Sequence, residues 1–306
     1  MTAGPAGAVP ADGPDGAPPA DVPFAGTTPI SVGETALRVR DLGRMTAFYR
    51  EAIGLETIGQ DAAGVHMGAG GKVLLHLIPN PDAPLATPRQ AGLFHIAFLM
   101  PSRGDLARWL AHAVLTRIPL TGFADHTVSE AIYLDDPEGN GLEIYSDRPH
   151  EGWRWRDGVV TMGTERLDID SLLALADTAR DRFDRAPSAT MIGHMHLRVG
   201  DVAAGRAFYE KALGLTPTLV SRQDAAFLSS GGYHHHVAIN SWNSRDAGPR
   251  DPASTGLDWF SLRLRDPDIL AAQSDRLSRG GTAISALAGG IETADPWGTR
   301  VRLVTG

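Results

Sequence analysis

The chain has 306 residues, with 28 Lys and Arg against 36 Asp and Glu, a net charge of −8 and no cysteine. Disulfides and thiolate chemistry are excluded, and an acidic chain without basic runs lacks the electrostatic footprint of a nucleic-acid or membrane-surface binder. No apolar run approaches the roughly 20 residues needed to cross a bilayer, and the length suits about two domains.

Residues 1–29, MTAGPAGAVPADGPDGAPPADVPFAGTTP, offer little to bury, which predicts a disordered tail. With no basic start and no apolar stretch of signal-peptide type, a cytoplasmic location is expected. Beyond the tail the chain repeats itself. ALRVRDLGRMTAFYREAIGL at residues 36–55 returns as HLRVGDVAAGRAFYEKALGL at residues 196–215. Each copy reads as an alternating strand, an Asp-capped helix and a Gly stop, with Asp41 and Asp201 as caps. Phe48-Tyr49 and Phe208-Tyr209 fall at helical spacing and are read as core. Short strands follow each copy, turning at Gly70-Gly71 and Gly231-Gly232.

A second unit then recurs. GLFHIAFLMP (residues 92–101) resembles GLDWFSLRLR (256–265), helices are predicted at 104–114 and 267–279, and DPEGNGLEIY resembles DPWGTRVRLV. The pattern predicts an α+β chain of four βαβββ modules, two per half: 30–146 as the first pair, 147–190 as a linker and 191–306 as the second pair. In the linker, periodicity predicts a helix over residues 170–183, and Trp153 and Trp155 are expected to pack on the seam between domains.

The densest stretch is residues 126–143, HTVSEAIYLDDPEGNGLE. It reads as a hairpin, with Asp136, Pro137 and Gly139 in the turn and Asn140-Gly141 supplying positive φ. Alternation puts Glu143 and Tyr145 on one face and Leu142 and Ile144 on the other. A buried Glu143 requires a partner or a metal; the bland alternative is an ordinary hairpin with Glu143 in solvent.

These residues resemble a known family. The LRVxD…AFYxxxxGL repeats look like the vicinal oxygen chelate superfamily, and the string from His126 to Glu143 is similar to the signature of type I extradiol ring-cleavage dioxygenases. GHMHLRV, GGYHHHVAIN and DPEGNGLEIYSDRP extend the likeness to bacterial catechol-2,3-dioxygenases, over residues 30–306. Ala124 departs from it in a minor way, standing two before His126 where that signature usually has Gly or a few other types.

The resemblance implies modules paired into barrel-like domains and a site of two His and one Glu around Fe(II), with Mn(II) suiting the same ligands. The matching first-strand positions are Glu34, His95, His194 and Trp259; the last-strand positions are His76, Glu143, His236 and Arg302. If modules two and three share a barrel, the set is His95, Glu143 and His194. If modules one and two pair, it is Glu34, His76, His95 and Glu143, nearer to glyoxalase-type sites. The first is favoured because it reproduces two His and one carboxylate. His126, Tyr133 and His235 match positions that move protons, and His196 and His236 are candidates for contacts around them. Strand alternation sends His235 to one face and His234 and His236 to the other. His66, His112 and His150 are read as structural or surface residues.

The expected activity is cleavage of a catechol-type ring with O2, and the expected partner is a small aromatic diol. Alternatives are a hydroquinone-type ring cleavage, a glyoxalase-type lyase or isomerase, and a protein that sequesters a small molecule without catalysis. Self-association is expected by the same likeness.

Overall fold

Asp41 and Asp201 each close a turn from strand to helix: their carboxylates accept from the backbone N–H of Arg44 and Ala204. Each satisfies a donor that the first helical turn leaves free. A computed structural model describes residues 22–219 and 222–305. Over these residues the first module comprises β1 (Ile30–Val39), α1 (Leu42–Phe48), β2 (Glu56–Asp61), β3 (Gly64–Ala69) and β4 (Lys72–Pro79). The second comprises β5 (Gly92–Leu99), α2 (Arg103–Thr116), β6 (Gly122–Asp125), β7 (Ser129–Asp135) and β8 (Gly141–Asp147). A two-stranded hairpin, β9 (Trp155–Arg156) and β10 (Val159–Val160), and the short α3 (Ile169–Leu173) lie in the linker. The third module is β11 (Met191–Arg198), α4 (Val202–Arg206), β12 (Thr216–Leu219), β13 (Ala225–Ser229) and β14 (Val237–Asn240). The fourth is β15 (Gly256–Leu264), α5 (Pro267–Arg279), β16 (Ser285–Leu287), β17 (Gly290–Ala294) and β18 (Arg300–Thr305).

The strands form two eight-stranded, curled sheets, ordered β16-β17-β18-β15-β1-β4-β3-β2 and β12-β13-β14-β11-β5-β8-β7-β6. Each sheet takes one module from each half of the chain, so the spatial units are not the sequence halves. First strands meet antiparallel at the centre of each sheet, and each pairs parallel with the last strand of its own module. One apolar core spans both sheets, with Tyr49, Phe98, Trp109 and Phe260 among its largest members.

The two Phe-Tyr repeats share a further role. α1 and α4 run on into π-helical turns, Tyr49–Ile53 and Ala207–Ala212. The Tyr49 hydroxyl donates to Asp136 at 2.9 Å, and the Tyr209 hydroxyl donates to Asp295 at 2.9 Å. The aspartates head the DPEG and DPWG turns of the next module, so each bond ties one sheet to the other. Tyr49→Phe leaves the buried Asp136 short of a donor and is expected to cost about 1.5–3 kcal/mol. Urea unfolding should show a lower midpoint at unchanged slope.

Four local expectations are corrected. Of residues 1–29, expected as a disordered tail, residues 1–21 lie outside the described residues and the rest are ordered into the fold. Phe24–Thr27 form a 3₁₀ turn, Ala25 is buried, and Phe24 stacks on His150 at 4.1 Å. Phe24 is the one aromatic side chain in those 29 residues, and composition averages it away. The linker helix covers only Ile169–Leu173, capped by Asp168. Downstream, the Asp177 carboxylate accepts from the N–H of Ala179 and Arg180, an alternative to helix for that backbone. Trp153 is buried beside Phe24 and Tyr233, but Trp155 is 40% exposed on its hairpin. In the β7–β8 turn the positive φ falls at Gly139, +83°, and not at Asn140-Gly141. There the Asp136 carboxylate gathers the N–H of Glu138 and Asn140 and the Asn140 amide, which sets the turn one residue earlier.

Candidate metal centre

β11, β5 and β8 are neighbours at the middle of one sheet. The β11–β5 ladder slips between Ile192 and His194, and such a bulge re-aims the next side chain. Only glycine fits at the slip, because a Cβ on Gly193 would overlap the Tyr145 hydroxyl. β5 and β8, parallel and in register, project His95 and Glu143 to the same side. Nε2 of His95 lies 3.0 Å from Oε2 of Glu143, Nε2 of His194 lies 3.3 Å from that same oxygen, and the two nitrogens are 3.3 Å apart. Among the described residues, no other group of three or more His, Asp or Glu gathers its ligand atoms within 4.8 Å.

The triangle has the size of a metal site. Ligand atoms bonded at about 2.1 Å, at right angles to one another, stand about 3.0 Å apart. Burial alone would raise the Glu143 pKa, but His194 and His95 draw it well below the usual carboxylate range. Burial lowers His194 to about 4 against the pull of Glu143. Near neutral pH the carboxylate is therefore ionised and the His194 imidazole neutral, the forms that bind metal. Nδ1 of His194 is buried without a hydrogen-bond partner.

The three residues lie in a cavity of about 660 Å³, a size typical of small-molecule sites. Phe94, Phe227 and Trp242 supply aromatic walls. His126 Nε2 is 2.7 Å from the Tyr133 hydroxyl, and its Nδ1 is 2.8 Å from the carbonyl oxygen of Gly163. The carbonyl only accepts, so Nδ1 donates; in the neutral ring Nε2 is then bare and the phenol donates to it. Burial, with Glu143 nearby, raises the Tyr133 pKa well above its ordinary value, so the phenol keeps its proton at neutral pH. His196 Nε2 accepts from the Asn240 amide at 2.9 Å, and its ring lies 4.8 Å from both Phe94 and His95. Burial, then the neighbouring His95 and His194, holds His196 well below the usual histidine range.

Of the three consecutive histidines, His235 lines the cavity, with its ring 4.1 Å from that of His194. They precede β14 instead of lying within it. His236, expected near the site, faces the N-terminal segment: its ring meets the Thr28 hydroxyl at 3.2 Å, the Ala25 carbonyl at 3.1 Å and the Ser229 hydroxyl at 3.1 Å. Burial pushes His236 down from 6.5 to about 3. Such a group is protonated first in the unfolded chain, so its contribution is complete above pH 6.5 and lost as pH falls toward about 3. His236→Gln is expected to reduce the stability lost between about pH 7 and about pH 4 by about 3 kcal/mol, read by urea unfolding at both values.

The alternative set is not assembled. Glu34 and His76 belong to the other sheet, where His76 Nε2 meets Glu34 Oε2 at 2.6 Å and His76 Nδ1 meets His66 Nδ1 at 2.7 Å. Trp259 lies over His76 at 5.0 Å, and Arg302 stacks on Trp259 at 3.8 Å. His112 bonds the Glu51 carbonyl at 2.8 Å, away from both groups. Phe94, Phe227 and Trp242 belong to no motif that marks them in the sequence, although Phe94 directly precedes His95.

Two arrays of βαβββ modules with one triad at the centre of one sheet fit a family model that covers residues 31–144 and 191–303, described as Glyoxalase/Bleomycin resistance protein/Dioxygenase superfamily. The chain belongs to this superfamily. It is 37% identical over 269 residues to the Catechol-2,3-dioxygenase of Bacillus subtilis, covering 87% of this chain and 93% of that one. It is 29% identical over 118 residues to Biphenyl-2,3-diol 1,2-dioxygenase 3 of Rhodococcus globerulus, covering 36% of this chain and 60% of that one. The superfamily member's fold is also that of glyoxalase I from Zea mays, with a TM-score of 0.54 at 16% identity over 92% of this chain and 94% of that one. No helix among the described residues is long and apolar enough to cross a membrane.

Proposed function

We propose that this chain is an extradiol ring-cleaving dioxygenase that acts on a catechol-type aromatic diol, with Fe(II) held by His95, Glu143 and His194. The observation that carries the reading is the convergence of two imidazoles and one carboxylate, 3.0–3.3 Å apart, in an aromatic-walled cavity. The names of the two dioxygenase relatives support it. When bound, Fe(II), or Mn(II) in the same ligands, would supply a Lewis-acidic, redox-active centre with open positions for both diol oxygens and O2.

The protein's own groups do the rest. Phe94, Phe227 and Trp242 receive the ring by apolar and aromatic contact and keep water from it. Neutral imidazole on His235, placed beside His194, is positioned to take a diol proton. On the other wall Tyr133 and His126 can form a relay: as the phenol oxygen accepts a substrate hydroxyl proton, its own proton passes to the bare Nε2 of a neutral His126. His126→Ala and His235→Ala are each expected to keep stoichiometric metal and to slow turnover by roughly 10²- to 10⁴-fold.

The test is anaerobic reconstitution with Fe(II), followed by a panel of small catechols and then oxygen. A yellow ring-opened product with stoichiometric oxygen consumption is expected. Bound iron without colour or oxygen uptake would overturn the catechol assignment, and failure to bind any divalent metal would overturn the metalloenzyme.

A further inference from the structure

Four residues past Glu143, Asp147 ends β8. Strand alternation puts Glu143, Tyr145 and Asp147 on one side. Oδ1 of Asp147 meets Nε2 of His234 at 2.9 Å and accepts from the Tyr233 hydroxyl at 3.3 Å. Nδ1 of His234 lies 2.8 Å from Nδ1 of His235. A two-step chain of contacts therefore joins Asp147 to the one histidine of the triplet that lines the cavity. Asp147 and His234 themselves are not part of the cavity wall.

The donor and acceptor roles along this chain follow from its carboxylate end. A carboxylate only accepts, so Nε2 of His234 carries a hydrogen. In the neutral ring Nδ1 is then bare, and it can only accept, so Nδ1 of His235 carries the hydrogen between them. That leaves Nε2 of His235 bare, and it has no partner among the described residues. The backbone holds the triplet in place: the His234 carbonyl accepts from the Thr218 hydroxyl, the His236 N–H donates to Leu228, and the His236 carbonyl accepts from Met195.

We propose that Asp147 and His234 are positioning residues that lock His235 in one tautomer and orientation, so that Nε2 is presented to the substrate as a proton acceptor. The catalytic meaning of this lock rests on the ring-cleaving reading; the tautomer itself does not. Without the lock, the hydrogen on His235 is free to sit on Nε2, where the ring would have no lone pair to offer a diol hydroxyl.

NMR of the isotope-labelled imidazole nitrogens in the full-length chain distinguishes a nitrogen that carries hydrogen from a bare one. The native chain is expected to show His235 with hydrogen on Nδ1 and a bare Nε2 near neutral pH. His234→Phe and Asp147→Ala should each lose this single pattern, and His234→Asn, which offers a carbonyl in place of the accepting nitrogen, should recover it. In the iron-loaded chain the first two variants should keep metal content and KM while kcat falls about 10- to 100-fold, the scale on which groups behind a functional residue act. Hydrogen on Nε2 of His235 in the native chain overturns the proposal, even if the variants fail to fold. An unchanged tautomer in a folded His234→Phe overturns it as well. If no diol is turned over, the ring-cleaving reading fails separately, and the nitrogen spectra still decide the tautomer.

Discussion

Glu143→Ala is expected to release the metal and abolish turnover together. Glu143 is the one anionic member of the triangle, and both Nε2 atoms point at the same oxygen of its carboxylate, at 3.0 and 3.3 Å. Without it, a dication would face two neutral imidazoles and buried aromatic surface, with no charge to offset its own desolvation. The loss of affinity should exceed the roughly 10- to 100-fold that changes behind a ligand produce. Metal analysis after dialysis reads this directly, and Glu143→Gln separates the loss of charge from the loss of volume. A Glu143→Ala chain that still holds stoichiometric iron would sink the assignment of this carboxylate as a ligand.

His194→Ala should be nearly as severe, while Glu34→Ala and His76→Ala should leave iron content and turnover close to native. The contrast follows from the strand order. His194 comes from the other half of the chain yet stands 3.3 Å from His95, because β11 and β5 are neighbours. Glu34 and His76, from the same half as His95, bond each other in the second sheet, at 2.6 Å. Metal content of the three variants, purified side by side, reads the difference. Loss of iron in Glu34→Ala with retention in His194→Ala would reverse the assignment.

The repeats made the modules legible, because a strand, an Asp cap, a Phe-Tyr helix and a Gly stop recur at matching places. Which modules share a sheet is a long-range pairing that local pattern does not encode. The count of ligand types, two imidazoles and one carboxylate, and the histidine of GHMHLRV favour the arrangement that brings His95, Glu143 and His194 together. The linker helix is shorter than its pattern predicts because the apolar period continues beyond Leu173, while Asp177 draws the following N–H groups into a turn. Asp147 was within reach of the sequence, two strand periods beyond Glu143. Its bond to His234 was not, since the triplet lies outside any strand and its geometry comes from tertiary contacts.

The crossing of modules between sheets bears on ancestry as well as on assembly. Cut within the linker, each half would expose a central strand on two unfinished sheets, β1 and β5 in one piece and β11 and β15 in the other. Two copies of a single half-length chain would complete one another in the same way, producing a symmetric dimer with two equivalent sites. Joining such halves in one gene frees each site to change alone. One now carries His95, Glu143 and His194; the equivalent place in the other sheet carries Glu34, His76, Trp259 and Arg302, with an aromatic ring where its counterpart has His95 and a guanidinium where it has Glu143. Because His194 follows His95 and Glu143 in the chain, the three can meet only once β11 has been made and has paired with β5.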